Sequence, residues 1–329
     1  MADLNTLTTS LASMKQTMVN RLISLGDTNI STNNSMQTIV NHYNDVRFTV
    51  VPTSSCDLVA MTPMFYMYDA YDATAIGSAK TILTANNSSV QANYTDIIAS
   101  EAEVINTWQG YLRMNSFTSL TSMQFPKVKY IIGSNSFIQP NSSYINTTLS
   151  GIFEFPNLKA NLSTNNYICA CLSNITKFSA PEYEWAMGNS TVTYYNQNLT
   201  YVNLEKYKGY YDYSTNTFKI STNIIGQNCP NIECLILGDT DAITTNLMYT
   251  STTYSNFTTL VLNVTKVPTL SSSSYIKQSD SYYPKFNIET GSIYVPDALL
   301  TEFQEATYWS TYYDMFKPLS TFVNTWENS

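Results

Sequence analysis

"CPNIECLILGDTDAI", residues 229–243, sets Ile232, Leu235 and Leu237 in the frame L-x-x-L-x-L, with Ile243 closing the turn. In an extended chain successive side chains point to opposite faces, so Leu235 and Leu237 share one face. One such strand cannot bury that face alone, and neighbours with the same pattern must stack on it. The sequence supplies candidates. "YSNFTTLVLNVTKVP" repeats the frame with Phe257, Leu260, Leu262 and Val267. Further copies are Val128/Ile131/Gly133, Ile175/Phe178/Ala180 and Leu204/Tyr207/Gly209. "FPNLKANLS", from Phe155, keeps Leu158 but has Asn161 where an apolar residue is expected. An asparagine precedes four copies, at Asn174, Asn203, Asn231 and Asn256, in steps of 29, 28 and 25 residues. A coil of ~20–29 residues with this frame is the skeleton of a leucine-rich repeat. The spacing predicts an irregular leucine-rich-repeat-like β-solenoid over 116–289, and an irregular β-sandwich with strands of similar length is the alternative.

Outside that region the patterns change. Leu4, Leu7, Leu11, Met14, Met18 and Leu25 fall at alternating steps of three and four, with Arg21 at one seam position and Gly26 where a helix would end. A second short helix is expected from about Asn34 to Tyr43, with Met36, Ile39, Val40 and Tyr43 on one face. Residues 1–45 thus predict a helical hairpin serving attachment or oligomerisation. Residues 46–115 predict a small α+β region. It would hold extended segments at "RFTVVP" and "MFYMYDAYDATAIG", then a helix over 94–112 carrying Ile97, Glu101, Val104, Trp108 and Leu112 on one face.

Residues 290–329 predict a compact cap. Ile293 to Val295 make a strand that Pro296 stops, since proline donates no ladder hydrogen bond. Asp297 is placed to cap the helix that follows. Leu299, Phe303 and Ala306, with Leu300 beside them, give it a buried stripe. Trp309, Tyr312, Tyr313 and Phe316 form a second cluster, on a short helix ended by Lys317-Pro318. The last coil of a stacked fold leaves an apolar edge, and such a unit closes it. The class expected is α+β, with N-terminal helical hairpin, small α+β region, irregular leucine-rich-repeat-like β-solenoid and C-terminal helical cap.

Composition narrows the chemistry. Charged residues are 12% of the 329, about half the usual ~25%, so Asn, Ser, Thr and Tyr must build the polar surface. With 16 basic against 24 acidic residues and no basic patch, nucleic acid is not expected as a partner. No stretch of ~18 apolar residues predicts a membrane span. "MADLNTLTTSLASMKQ" lacks the basic head and apolar run of a secretory signal, which points to a chain made in a bacterial-type cytoplasm. Cys56, Cys169, Cys171, Cys229 and Cys234 are odd in number and sparse, so buried free thiols are expected rather than a disulfide framework or a zinc site. His42 is the only histidine and has no nucleophile motif around it. Of the acidic pairs, Glu182/Glu184 and Asp239/Asp241 are the ones a glycan-cleaving site would use, and solvated turns explain them equally. No catalytic, cofactor-binding or metal-ligating residue is assigned, and no enzyme activity is expected. Tyrosine clusters suit binding, because each ring gives a rigid contact with one polar tip. Tyr66, Tyr68, Tyr71, Tyr210, Tyr211 and Tyr213 are the candidate surface, either against sister subunits or against an external ligand.

The terminal stretch carries a resemblance. "GSIYVPDALLTEFQEATYWSTYYDMFKPLS" resembles a motif of the form iYVPd-L-x-x-yk-x-a-t-nWs-ya-x-x-ikPls. That motif occurs in tailed-bacteriophage virion proteins and in irregular leucine-rich-repeat surface proteins of bacteria. Ile293, Tyr294, Val295, Pro296, Asp297, Leu299, Ala306, Thr307, Trp309, Ser310, Tyr312, Lys317, Pro318 and Leu319 match it, whereas Phe303 and Tyr308 replace the commoner Tyr and Asn. "LASMKQTMVNRLISLGDTNISTNNSMQTIV" is similar, more weakly, to the first helices of phage tail, baseplate and fibre subunits. The resemblance implies a structural virion component of fibre, tail or baseplate type, assembled in the bacterial cytoplasm. Its partners would be other virion proteins, sister copies (a homotrimer, by analogy with fibres) and a host-surface glycan or protein. A bacterial leucine-rich-repeat adhesin and a glycan depolymerase of a phage fibre are the alternatives.

Overall fold

Parallel strand pairing dominates the computed structural model, which describes residues 12–13, 15–20, 30–39, 64–66, 81–84, 92, 94–108, 110–163, 165, 167–188, 191–249, 257–276, 286–287 and 290–327. The class is α+β: among the described residues in regular secondary structure, most lie in parallel strands and fewer in helices. A seven-stranded sheet runs through Asn146–Glu154, Leu172–Ser179, Tyr201–Leu204, Cys234–Leu237, Thr259–Leu262, Ser292–Val295 and Phe316–Pro318, in that order. A ten-stranded sheet takes up short strands from Met64–Tyr66 to Thr269–Leu270. From residue 146 to 270 the chain alternates between the two sheets, so each parallel neighbour is reached by passing through the other sheet. Strands on both sides of residue 115 share the ten-stranded sheet, through Val104–Asn106 and Tyr130–Gly133. Smaller parallel contacts, Cys169–Ala170 with Thr193–Tyr194 and then Ile225 with Met248, lie on a third side.

The core follows from register. Phe153, Phe178, Val202, Leu235, Leu260, Ile293 and Phe316 are direct partners from strand to strand, and all are buried. Leu204, Leu237 and Leu262 form a second buried row two residues on. One copy of the frame is therefore corrected. Val202 pairs with Leu235, so the copy in this sheet is Leu199/Val202/Leu204 and not Leu204/Tyr207/Gly209. The preceding asparagine is Asn198, and the steps from Asn174 become 24, 33 and 25. These asparagines tie neighbouring segments together. Asn174 Nδ2 donates to the Thr147 carbonyl at 2.6 Å, Asn198 Nδ2 to Asn174 Oδ1 at 3.3 Å, and Asn231 Nδ2 to the Gln197 carbonyl at 2.7 Å. Asn256 lies outside the described residues.

The misplaced copies belong to a second, interleaved pattern. Val128, Leu158, Tyr183 and Tyr207 each donate a backbone N–H to the carbonyl three residues earlier, at Phe125, Phe155, Ala180 and Leu204. This turn carries the chain from one sheet to the other. Rings stack along it, Phe125 on Phe155 at 5.1 Å and Tyr183 on Tyr207 at 4.7 Å between centroids. Ile131, read above as a solenoid position, lies in the ten-stranded sheet opposite Ile105 and Asn161.

The helix expected over 94–112 is absent. Asp96–Ile98 and Val104–Asn106 are strands joined by a turn at Glu101, and Trp108 is 61% exposed. Ile97, Ile98, Val104 and Ile105 are β-branched and pack well on a pleated surface. A corner between two strands happens to reproduce the helical spacing of Ile97 and Val104.

At the N-terminal end, residues 15–20 and 36–39 are helical, and the Ser35 hydroxyl accepts the Thr38 N–H at 3.1 Å, capping the second segment. Val19, Ile30 and Ile39 are buried together, with Met18 half-buried beside them. Leu4, Leu7, Leu11, Met14 and Leu25 lie outside the described residues, so the hairpin and its seam are not described.

In the cap, Phe303, Trp309, Tyr312, Met315 and Phe316 are buried. The Trp309 indole N–H donates to the Pro268 carbonyl at 2.7 Å, and the Tyr312 hydroxyl donates to the Ser273 carbonyl. Three expectations fail. Asp297 makes no cap to the turn it begins; its carboxylate accepts the Ser320 N–H and hydroxyl at 3.0 and 2.5 Å. Tyr313 is 54% exposed, and Met315 fills the cluster instead. Lys317-Pro318 does not end a helix but belongs to the strand Phe316–Pro318, whose edge position tolerates a proline.

Candidate functional site

Among the described residues the one antiparallel pairing is a hairpin, Tyr210–Asp212 with Thr217–Ile220. Its turn is built by Asp212, whose Oδ1 accepts the Ser214 N–H and hydroxyl at 2.8 and 2.6 Å. Asn216 takes the left-handed conformation there, at φ 52°. Gly209 enters the hairpin at φ 100°, where a Cβ would lie 2.3 Å from the Lys219 carbonyl oxygen. Lys219 Nζ pairs with Asp212 at 2.7 Å, and with the Ser214 donors it holds that carboxyl well below the usual carboxylate range. On the hairpin Tyr211 meets Tyr213 edge-on at 4.9 Å and Phe218 at 4.9 Å, while Lys208 Nζ lies 5.3 Å from the Phe218 ring centre. Tyr213 is 69% exposed. The arrangement offers an aromatic edge with a cation and hydroxyls beside it.

Of the other predicted surface residues, Tyr66 lies in the strand Met64–Tyr66, and Tyr68 and Tyr71 lie outside the described residues. They are not brought to the hairpin by anything described. A second tyrosine group was missed. Tyr167 meets Tyr194 at 5.5 Å, Tyr194 meets Tyr195 at 4.6 Å, and the Tyr194 hydroxyl donates to Gln227 Oε1 at 3.1 Å. Burial raises the Tyr194 hydroxyl to about 12. Tyr194 and Tyr195 are sequence neighbours, but Tyr167 and Gln227 come from separate segments that parallel pairing brings beside them.

The carboxylate pairs are committed to neighbouring segments. Glu182 pairs with Lys159 at 2.5 Å and Lys206 at 2.6 Å, and Glu184 with Lys208 at 3.7 Å. Lys266 meets Asp241 at 2.6 Å, and Asp239 accepts the Thr265 N–H at 2.8 Å. With Glu101–Lys127 and Glu103–Lys129, they form an ion-pair ladder along the corner turns. Hydrogen bonds from Lys159 and Lys206 hold the Glu182 carboxyl below its ordinary value. For Asp241 burial pushes upward, but Lys266 and the Phe218 N–H outweigh it. A general acid requires the opposite shift.

Cys169, Cys171, Cys229 and Cys234 are free and buried, and burial raises Cys171 and Cys229 to about 11. Inert structural thiols have this environment. Cys56 and His42 lie outside the described residues.

The cap motif builds a further surface. Residues 319–327 lie across the outer face of the seven-stranded sheet. There Leu319, Phe322 and Trp326 pack on Tyr201, Cys234, Ile236, Val261 and Tyr294. Trp326 lies parallel to Tyr201 at 6.2 Å, and its indole N–H donates to the Glu233 carboxylate at 3.1 Å. The Tyr201 hydroxyl accepts from Asn324 Nδ2 at 2.8 Å and donates to Glu327 at 3.3 Å. Lys317 Nζ sits 6.0 Å from the centre of the Tyr294 ring. Sequence reasoning missed this cover, although "CLIL" and "TLVL" are apolar on both faces and so require one on each side.

Compared with known protein families, curated proteins and solved structures, the chain matches none.

Proposed function

We propose that this chain is a fibre or appendage protein of a tailed-phage virion, attached through its N-terminal segment. Residues 116–289 would be an irregular leucine-rich-repeat-like solenoid, and residues 290–329 its cap. The terminal IYVPD…W…KPL motif supports the virion reading. Two inward rows that step through successive parallel strands, and continue into the cap at Ile293 and Phe316, support the solenoid. The work of such a chain is reach, symmetry and binding, with other virion proteins and sister copies as partners.

The observation that carries the display role is the aromatic hairpin, with Tyr213 at 69% exposure on an otherwise regular stack. Its rigid rings, a nearby lysine and hydroxyls match a host-surface glycan or protein. Gold-labelled antibody to the chain should decorate intact phage particles, and purified chain should bind host cells. Tyr213→Ala should reduce that binding roughly tenfold, about 1.4 kcal/mol, with the melting temperature unchanged. Decoration of bacterial envelopes in the absence of particles would instead favour the adhesin reading.

A further inference from the structure

Charge is distributed unevenly around the structure. The corner turns carry the ion-pair ladder, with Glu101, Glu103, Glu182, Glu184 and Asp241 each beside a lysine. The third side differs. Its segments, 111–116, 137–144, 167–172, 191–197, 223–229 and 246–249, hold no Asp, Glu or Lys, and Arg113 is their only charged side chain. Tyrosines and amides take the place of charge. Parallel pairing sets Cys169, Thr193, Ile225 and Met248 side by side in that order. Tyr167, Tyr194, Tyr195, Gln227 and Tyr249 therefore come from four neighbouring segments and span about 14 Å, at ~4.8 Å per step.

Backbone conformation adds a ring to this track. Successive side chains of an extended chain point to opposite faces. Tyr195 is instead left-handed, at φ 54°, and its ring meets that of Tyr194 at 4.6 Å. Cys171 and Asn228, its neighbours in register, make the same turn at φ 57° and 56°. The turn itself thus requires no aromatic residue, and a bulky one is strained there. Strain of this kind gathers at ligand sites. The Tyr194 hydroxyl is held by Gln227 Oε1 at 3.1 Å, and its ring by Tyr167 at 5.5 Å. Among the described residues, the hydroxyls of Tyr167, Tyr195 and Tyr249 have no hydrogen-bond partner, and none is a buried unsatisfied group. They are open to a ligand, and Tyr249 is 39% exposed.

We propose that this tyrosine track binds a linear, uncharged glycan. Sugar rings lay C–H faces on aromatic planes and offer hydroxyls to phenol and amide groups at their edges. A carboxylate-bearing glycan would lose hydration there without a cation to offset it, because Arg113 lies two segments away, held by Gln139 and the rings of Tyr111 and Tyr144. The track is separate from the hairpin, whose rings stand beside Lys208 and Lys219. Four segments engage several sugars in line, so affinity should grow with the length of the glycan.

The probes are neutral β-1,4-, β-1,3- and α-1,4-glucan oligosaccharides, from disaccharide to hexasaccharide, titrated calorimetrically into the full chain. A galacturonic acid hexamer and an oligoproline peptide, the other extended ligand that aromatic grooves take, are the comparisons. At least one neutral hexasaccharide should bind tenfold or more tighter than its own disaccharide and than both comparisons, with affinity unchanged in ~1 M salt. Tyr195→Asn keeps a residue that tolerates the left-handed turn and should weaken that binding at least tenfold. Tyr249→Ala should weaken it severalfold, whereas Tyr313→Ala, in the exposed part of the cap, should not. Binding indifferent to glycan length or to both track variants would overturn the proposal. So would tighter binding of either comparison, or no binding by any neutral oligosaccharide. If Tyr195→Asn fails to fold, Tyr249→Ala decides, since it truncates an exposed side chain.

Discussion

The two faces of the seven-stranded sheet are both apolar, yet they are covered in different ways. Inside, Phe153, Phe178, Val202, Leu235, Leu260, Ile293 and Phe316 make a continuous row, flanking one another within the main buried cluster. Outside, Tyr201, Cys234, Ile236 and Val261 are covered by three side chains of one short segment. The inner cover is part of the fold's repeat and cannot leave without unfolding. The outer cover is a single segment, residues 319–327, and packs through its side chains. Stability should therefore concentrate inside.

The sharpest way to break that contrast is a pair of adjacent truncations. Leu235→Ala faces in and should lose about 2–5 kcal/mol of unfolding free energy in urea, with the upper half of that range expected because rigid neighbours cannot collapse around it. Ile236→Ala, one residue on and facing out, should fall near the lower end, about 2 kcal/mol, because the covering segment can settle into the space. Equal losses would mean that the covering segment is packed as rigidly as the core. Next in size is Trp326→Ala, expected to cost about 1–2 kcal/mol since the ring is half-buried and rests on one face only. Calorimetry should find a small shift in melting temperature. A loss of the ~3–5 kcal/mol typical of a core tryptophan would put the outer cover on a par with the core.

The inner rows were legible in the sequence because their signal is local. Ile232, Leu235 and Leu237 spell the frame within six residues, and Ile293 to Val295 announce the strand that continues it. What stayed hidden depended on register between distant segments. Leu199/Val202/Leu204 and Leu204/Tyr207 share a residue, and the strand frame and the corner turn both begin with an apolar step of three. Only pairing with Cys234–Leu237 separates them. The same ambiguity made two strands around Glu101 resemble one helical face. Asp297 looked like a local cap, because its partner Ser320 is 23 residues away. The hairpin tyrosines could be named from their density, but the contact between Tyr201 and Trp326 spans 125 residues and leaves no periodic trace.

The smallest expected effect tests whether charge, rather than packing, holds neighbouring segments together. Glu182 receives Lys159 and Lys206 from the segments before and after it, so it is the best-connected member of the corner ladder. Those hydrogen bonds lower its carboxyl in the folded chain relative to ~4.3 in the unfolded one. A depressed folded value stabilises above the unfolded value and loses that contribution as pH falls through the folded value. Glu182→Gln should then cost about 0–1 kcal/mol at pH 7, since the groups are partly exposed and screened. The gap from wild type in urea titrations should close below about pH 4 and narrow in ~1 M salt. The reason is geometric: each ion pair bridges only neighbouring segments at the surface, whereas Leu235 lies within the main buried cluster. A Glu182→Gln loss as large as that of Leu235→Ala would overturn this order and make the corner ladder, not the inner rows, the main tie between neighbouring segments.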